Sequence, residues 1–447
     1  MTTTHAPPDG MTRDQFVAAV RASGVLSSKQ LARLDDALSP FLRSPRELAD
    51  HLIRERFLSR FQAERLLAGR TDGFLIGPYA VLDYLGKTDA SRAYKARHRT
   101  MNRLVEIQIL TAAATATDDQ RTAVHTAARA AARLAHPNVI TLLDVNAIGG
   151  RVYLVREYVD GTDLGAVAKG HGPMPVGRVC EFVRQAALGL SHAHERDTVH
   201  GRLTPASIRV GRPGGTGPEE KPVVKVGGLG LGLLAGDPAD GGFEHLAPEL
   251  FEPTAILTAE ADVYSLGSIF HLALTGLPPH PATSYAGAER HRHAPLQPVQ
   301  YLRPDLPAEV AKLLTAMLAF DPAERPTATA VAEAVEPFAG EDAAAAVDFA
   351  LSSRHKSGPI SLGGGLSGLI PQEVSDTFVP NPWAELSAPA ATTDTGDETK
   401  QPTTLIEPPT PSREKRTASD AVILGLSIAA GLAVLGGLAV AVRLVLG

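Results

Sequence analysis

Short apolar-rich runs separated by polar turns mark the middle of the chain. YAVLDYL, SRAYKAR, VEIQIL and VYLVREYV follow one another between residues 79 and 159 and predict successive strands. From VGRVCEFVRQAALGLSHAHE (176–195) onward the apolar positions recur at helical spacing over long segments. Strands first and helices after predict an α+β, bilobal domain over residues 76–340, a small sheet lobe followed by a helical lobe. Ahead of it, residues 11–70 predict helices and contain an internal echo. LSSKQLARL (26–34) and LSRFQAERL (58–66) share a serine where a helix should begin and a glutamine three residues later. That is a capping box, in which the two side chains satisfy free backbone N–H groups at the helix start. Two similar helical hairpins follow from it, too few for a solenoid and suited to a small packing or docking module.

The C-terminal quarter changes character twice. Residues 341–418, with SGPISLGGGLSGLIPQ and SAPAATTDTGDETKQPTTLIEPPTPS, have the Gly, Pro, Ser and Thr content of a flexible linker. Trp383, in FVPNPWAEL, is the only tryptophan and reads as an incidental linker residue. Residues 421–442, AVILGLSIAAGLAVLGGLAVAV, are uncharged and, Ser427 apart, apolar. About 20 such residues cross a hydrocarbon core, so this run predicts a transmembrane helix. Arg413, Lys415 and Arg416 precede it, and only Arg443 is charged after it. The positive-inside rule then puts the N-terminal bulk in the cytoplasm of a single-pass membrane protein. Few residues follow the span, so sensing on its far side is not expected. Gly425, Ala429, Ala433, Gly437 and Ala441 recur every four residues, a stripe that would let two such helices pack as a homodimer.

Composition narrows the function class. A chain of 447 residues, 44% hydrophobic and 21% charged, can bury a sizeable core. Its formal net charge of -6 argues against a nucleic-acid partner. The single cysteine, Cys180, excludes an internal disulfide framework and reads as a buried small hydrophobe. The start, MTTTHAPPDG, has no apolar signal core.

Residues 76–340 resemble the bacterial Ser/Thr protein kinases of eukaryotic type. Six landmarks carry the resemblance in order: IGPYAVLDYLG, HPNVITLLDV, VYLVREYVDG, LAPEL, DVYSLGSIFHLALTGLPP and DPAERPTA. The resemblance implies a Gly-rich loop over the ATP phosphates, a strand lysine paired to a helix glutamate, two magnesium ligands and a carboxylate base. At the matching positions this sequence differs. The loop keeps Gly86 but has Thr88 and Ser91 for the later glycines. V-A-I-K appears as V-E-I-Q, with Gln108 for the lysine; the helix glutamate position falls on Ala127. H-R-D appears in TVHGRLTPASI as HGR, so Arg202 stands for the base, and arginine stays protonated at any relevant pH. Thr204 and Ser207 replace the lysine and asparagine that follow, and Gly228-Leu229-Gly230 replaces D-F-G. Lys87 or Arg92 could in principle reach phosphate from the loop.

Residues that hold the family's fold are retained. Glu249 and Arg325 match its buried ion pair, Asp262 the aspartate that caps the catalytic-loop backbone, and His200 and Leu229 two members of the apolar column joining the lobes. Gly86, Glu106, Arg156, Glu157 and Val159 fall on nucleotide-pocket positions. Glu106 and Gln108 share one side of their strand. Arg156 stands where the family has an apolar residue at the back of the pocket, so Glu106 and Arg156 are expected to pair within about 4 Å. The resemblance, with these replacements, implies a membrane-anchored pseudokinase. It would be a scaffold or regulator that binds an active kinase or its substrate, with weak or absent ATP, no magnesium and no metal site. An active kinase with a rearranged ATP site, and an ATP-binding switch without turnover, remain as alternatives.

Overall fold

A computed structural model describes residues 11–340 apart from 38–41, 89, 214–222, 233–241 and 253. Residues 341–418, expected to be a linker, with Trp383 among them, and the apolar run 421–442 lie outside the described residues; among those described, no helix is long and apolar enough to cross a membrane.

Four helices come first: α1 (Arg13–Ala22), α2 (Ser28–Ala37), α3 (Pro45–Arg54) and α4 (Arg60–Leu67). They form two hairpins built alike. Thr12 and Gln15 cap α1 as Ser44 and Glu47 cap α3, each side chain bonding the other residue's backbone. Ser27–Gln30 and Ser59–Gln62 do the same for α2 and α4. The turn residues Gly24 and Arg56 both take the left-handed conformation, φ +68 and +60, which an arginine adopts only under constraint. Phe16, Val20, Leu34, Leu48, Leu52 and Leu66 fill the core between the hairpins. The short L-S-x-x-Q echo is therefore the visible part of a duplication that spans both hairpins. Elsewhere the copies keep residue class rather than identity, as in Phe16 and Leu48.

The small lobe is a six-stranded antiparallel sheet of order β1-β2-β3-β4-β6-β5. Its strands are β1 (Leu75–Ile76), β2 (Tyr79–Lys87), β3 (Ser91–His98), β4 (Leu104–Leu110), β5 (Leu142–Ile148) and β6 (Arg151–Glu157). Helix α5 (Asp118–Ala131) covers one face through Val124, Ala128 and Ala131, against Leu110, Val152 and Leu154. The other face gathers Tyr94, Val105, Ile107 and Val155, and Phe61 of α4 packs onto it. A bulge between Val81 and Asp83 breaks the β2 register. The buried amide of Gln62 donates to the Val81 carbonyl at 2.7 Å. The glutamine that caps α4 thus also fastens the helices to the sheet, and the Arg65 guanidinium lies over the rings of Phe61 and Phe74. The helical module is a third layer of the small lobe.

Two expectations need correction. VYLVREYV is not one strand: β6 ends at Glu157, and β7 (Val159–Asp163) joins a second sheet with β8 (Ile208–Pro213) and β9 (Val223–Val226). Tyr158 is the crossing point between sheets, which apolar content alone cannot mark. Strands also return after the first large-lobe helices, because β8 and β9 are short and VVKV is interrupted by a lysine. The large lobe otherwise consists of α6 (Leu164–His171), α7 (Val176–His194), α8 (Ala259–Thr275), α9 (Tyr285–His291), α10 (Ala308–Met317) and α11 (Ala328–Val335). Its core runs along α7 and α8, with Cys180 buried in it. Burial pushes the Cys180 thiol up to about 11, consistent with an inert packing residue.

Candidate functional site

The cleft side of the sheet carries a row of charges. Antiparallel register sets Lys95 opposite Glu106 and Glu106 opposite Arg156, across β3, β4 and β6. Glu106 and Gln108 alternate with Val105, Ile107 and Ile109 of the back cluster, so they face away from it. The Arg156 guanidinium donates to Glu106 Oε1 at 2.6 Å, with only 22% and 10% of the two side chains exposed. Each charge alone would be costly to desolvate; together they neutralise one another. A cavity of about 10 Å³ adjoins Arg156, walled also by Ala131, Leu142, Gly228 and Leu229 among others. It has room for about one water.

The hairpin between β2 and β3 is closed. Thr88 and Ser91 bond each other through backbone (2.8 Å from Thr88 N to Ser91 O) and hydroxyls (3.0 Å). Gln108 donates its amide to Ser91 Oγ at 2.7 Å. At the strand-lysine position the side chain therefore serves the hairpin, and Ala127 on α5 offers it no charge. Gly86 holds φ +147, a conformation that L side chains rarely adopt.

Across the cleft, Asp262 at the start of α8 is almost fully buried and accepts from the backbone N–H groups of His200 and Gly201, both at 2.7 Å. His194 Nε2 bonds the same carboxylate at 2.9 Å. The His200 ring accepts from Arg202 N–H at Nδ1 (3.3 Å) and donates from Nε2 to the Gly227 carbonyl (2.9 Å), which fixes the neutral tautomer. Arg202 is half-buried beside it. Thr204 and Ser207 satisfy one another, hydroxyl to hydroxyl at 3.2 Å and Thr204 N–H to Ser207 Oγ at 3.4 Å. Gly228 and Gly230 take left-handed backbone, φ +86 and +74, and Leu229 between them is buried in the large-lobe core. A Cβ on Gly228 would lie 3.2 Å from His200 Nε2. Gly228 brings no side-chain ligand and the Ser207 hydroxyl bonds Thr204, so these two positions offer a magnesium ion no carboxylate. Among the described residues no group of three or more His, Cys, Asp or Glu could hold a metal. Arg325 and Glu249 form a two-pronged ion pair, 2.7 and 2.8 Å, with the arginine side chain fully enclosed.

Three further side chains near the crossing belong to no motif of the sequence. Lys225 of β9 bonds Glu157 Oε2 at 3.0 Å. Lys95 lies over the Tyr158 ring, 4.3 Å from its centroid. The only signal for Lys225 was a charge inside an apolar strand; Lys95 and Tyr158 had none, since nothing local separates them from ordinary surface residues. Val159 is buried at the start of β7.

Burial lowers the His200 pKa and pushes His245, bonded to Ser268 Oγ at 2.8 Å, down to about 4. Both are neutral in the fold, and an unfolded histidine titrates near 6.5. The unfolded chain therefore takes up protons first as pH falls. Stability should be full above about pH 6.5 and decline toward pH 4, His245 alone contributing roughly 3 kcal/mol over that window. Urea melts at pH 7.5, 6 and 5 check this; a midpoint that is unchanged or rises on acidification would refute it.

Residues 79–335, more than half of the chain, match the family described as protein kinase domain. Serine/threonine-protein kinase PknH of Mycobacterium tuberculosis is 28% identical over 262 residues, 57% of this chain and 40% of that protein. Serine/threonine-protein kinase pkn3 of Myxococcus xanthus is 31% identical over 264 residues, 56% of this chain and 47% of that one. The chain thus spans less than half the length of these relatives. A crystal structure of the Mycobacterium tuberculosis PknI kinase domain, in a double-mutant form, superposes with a TM-score of 0.50 at 25% identity, covering 60% of this chain and 99% of that domain.

Proposed function

The chain belongs to the protein kinase family, related to the bacterial Ser/Thr kinases, and from that premise we propose that it is a pseudokinase. It keeps the kinase fold, binds an active kinase or its substrate, and transfers no phosphate. The observation that carries this reading is the Glu106–Arg156 pair at 2.6 Å. In the resemblance drawn above these are positions around the adenine, and here they are spent on one another. Gln108, Ala127, Arg202, Thr204, Ser207 and Gly228 support it from the phosphate side. Phosphoryl transfer is almost wholly positioning and electrostatic stabilisation, and these side chains supply neither a base nor a carboxylate for a metal. ATP binding is accordingly weak or absent, and magnesium plays no part. We also propose that 421–442 anchors the protein in a membrane, with the kinase fold on the cytoplasmic side and homodimer contact through its small-residue stripe.

One preparation tests both parts. The full chain should pellet with membranes after cell breakage, and when purified from them should incorporate no label from radiolabelled ATP, into itself or a basic substrate. Soluble full-length protein would remove the anchor. Incorporation abolished by Lys87→Ala would show a relocated lysine and end the pseudokinase reading.

A further inference from the structure

The hairpin of β3 and β4 ends in a charged tip that neither the cleft nor the core uses. From Ser91 to Val105 the chain carries Arg92, Lys95, Arg97, Arg99 and Arg103 and no Asp or Glu, against a net charge of -6 for the whole. Lys95 is spent on the Tyr158 ring. Arg97, Arg99 and Arg103 are exposed, and among the described residues none of the three enters an ion pair. Between them stands Met101, 72% exposed.

The tip is built, not frayed. His98 N–H donates to Arg103 O at 2.9 Å, Asn102 N–H to His98 O at 2.8 Å, and Arg99 N–H to Pro78 O at 3.0 Å. Met101 N–H donates to His98 Nδ1 at 3.2 Å, and the Arg97 guanidinium to Asn102 Oδ1 at 3.0 Å. Asn102 takes the left-handed conformation the turn requires, φ +54, which asparagine tolerates. The His98 ring is braced edge-on by Tyr79, 5.1 Å between centroids. Met101 is thus held away from the sheet by a turn with little freedom to collapse over it. Three guanidiniums around an apolar apex match an anionic bilayer surface. The cations meet lipid phosphates and carboxylates, and the thioether chain enters the boundary between headgroups and acyl chains. A nucleic acid asks for a broad basic face, which a chain of this net charge does not supply. An acidic peptide has no use for the exposed methionine.

We propose that the β3–β4 tip is a second membrane contact, which docks the kinase fold on the anionic surface beside its anchor. This inference rests on the membrane anchor proposed above. Each cation near an anionic leaflet raises partitioning only about fivefold, so the tip alone binds weakly. A tether turns that weak contact into an intramolecular one at high effective concentration. Docking then limits which faces of the kinase fold a protein partner can reach.

Thiol labelling of the full chain in lipid nanodiscs tests this. Cys180, the only cysteine, is buried with its pKa pushed up to about 11, so Met101→Cys supplies a single reactive thiol. The discs are phosphatidylcholine alone or phosphatidylcholine mixed with phosphatidylserine. A polar maleimide should label the new thiol about tenfold more slowly in the phosphatidylserine discs, and Arg99→Gln with Arg103→Gln in the same background should restore the rate. Equal rates in the two discs, or slowing that survives loss of both arginines, would overturn the docking and leave the anchor standing. Failure of the full chain to enter phosphatidylcholine discs would overturn the anchor, and the docking with it. Slowing by polyglutamate or inorganic phosphate in detergent without lipid would assign the tip to an acidic protein or a free anion, and would overturn the membrane contact.

Discussion

Replacing Arg325 with alanine is expected to destabilise the fold by about 3–5 kcal/mol, the cost of breaking a buried ion pair from one side. For a domain of this size that lowers the melting temperature by roughly 10 °C. The arginine side chain is fully enclosed, and it holds more than Glu249. It donates to the carbonyls of Ala319 (2.8 Å), Glu260 (3.1 Å) and Phe320 (3.0 Å) and stacks over the Tyr264 ring at 5.0 Å. Alanine strands those acceptors together with the Glu249 carboxylate. Arg325→Lys should recover only part of the loss, since a single ammonium cannot make the two-pronged contact. Thermal melts of the full chain check both variants. A change of less than a degree or two for Arg325→Ala would mean that the ion pair does not hold the segment around Glu249.

Removing residues 1–70 is expected to have the second large effect, on solubility as well as stability. Without α4 the back of the sheet loses its cover over Tyr94, Ile107 and Val155, all essentially inaccessible in the intact protein. Fully burying one such side chain contributes about 1.5–3 kcal/mol, and a continuous apolar patch of this kind promotes association. Gln62→Ala is the finer probe. It leaves the bulged Val81 carbonyl without its partner, a loss of about 1–3 kcal/mol. If the truncated chain is soluble and melts at the temperature of the full one, the helices are an independent appendage and not a layer of the lobe.

What the sequence disclosed, and what it withheld, follows from the range of the interactions. Strands β2, β3 and β4 announced themselves through local content. Alternation puts Glu106 on the cleft side, and the kinase resemblance puts Arg156 at the back of the same pocket, so their contact is an expectation of the sequence. Glu249, Asp262 and Arg325 were legible because short motifs surround each. Gln62 was legible only in half of its role. Its capping bond spans three residues, whereas its bond to Val81 spans nineteen and depends on a bulge. Lys225 and Glu157 are 68 residues apart and meet only once both lobes are built. The mutual satisfaction of Thr204 and Ser207 is local, since they are three residues apart with a proline between; the kinase resemblance marks only what they replace.

The central claim, that the nucleotide site is closed by its own side chains, is tested most directly by a thermal-shift titration of the full chain with ATP, with and without magnesium, alongside a Glu106→Ala, Arg156→Met double variant. A ligand that binds only the native state at a hundred times its Kd stabilises by about 2.7 kcal/mol. The account predicts no shift for the unmodified chain at physiological ATP concentrations, with or without magnesium, and a small, magnesium-independent rise for the double variant with its pocket reopened. A concentration-dependent rise in the unmodified chain, above all one that requires magnesium, would contradict it.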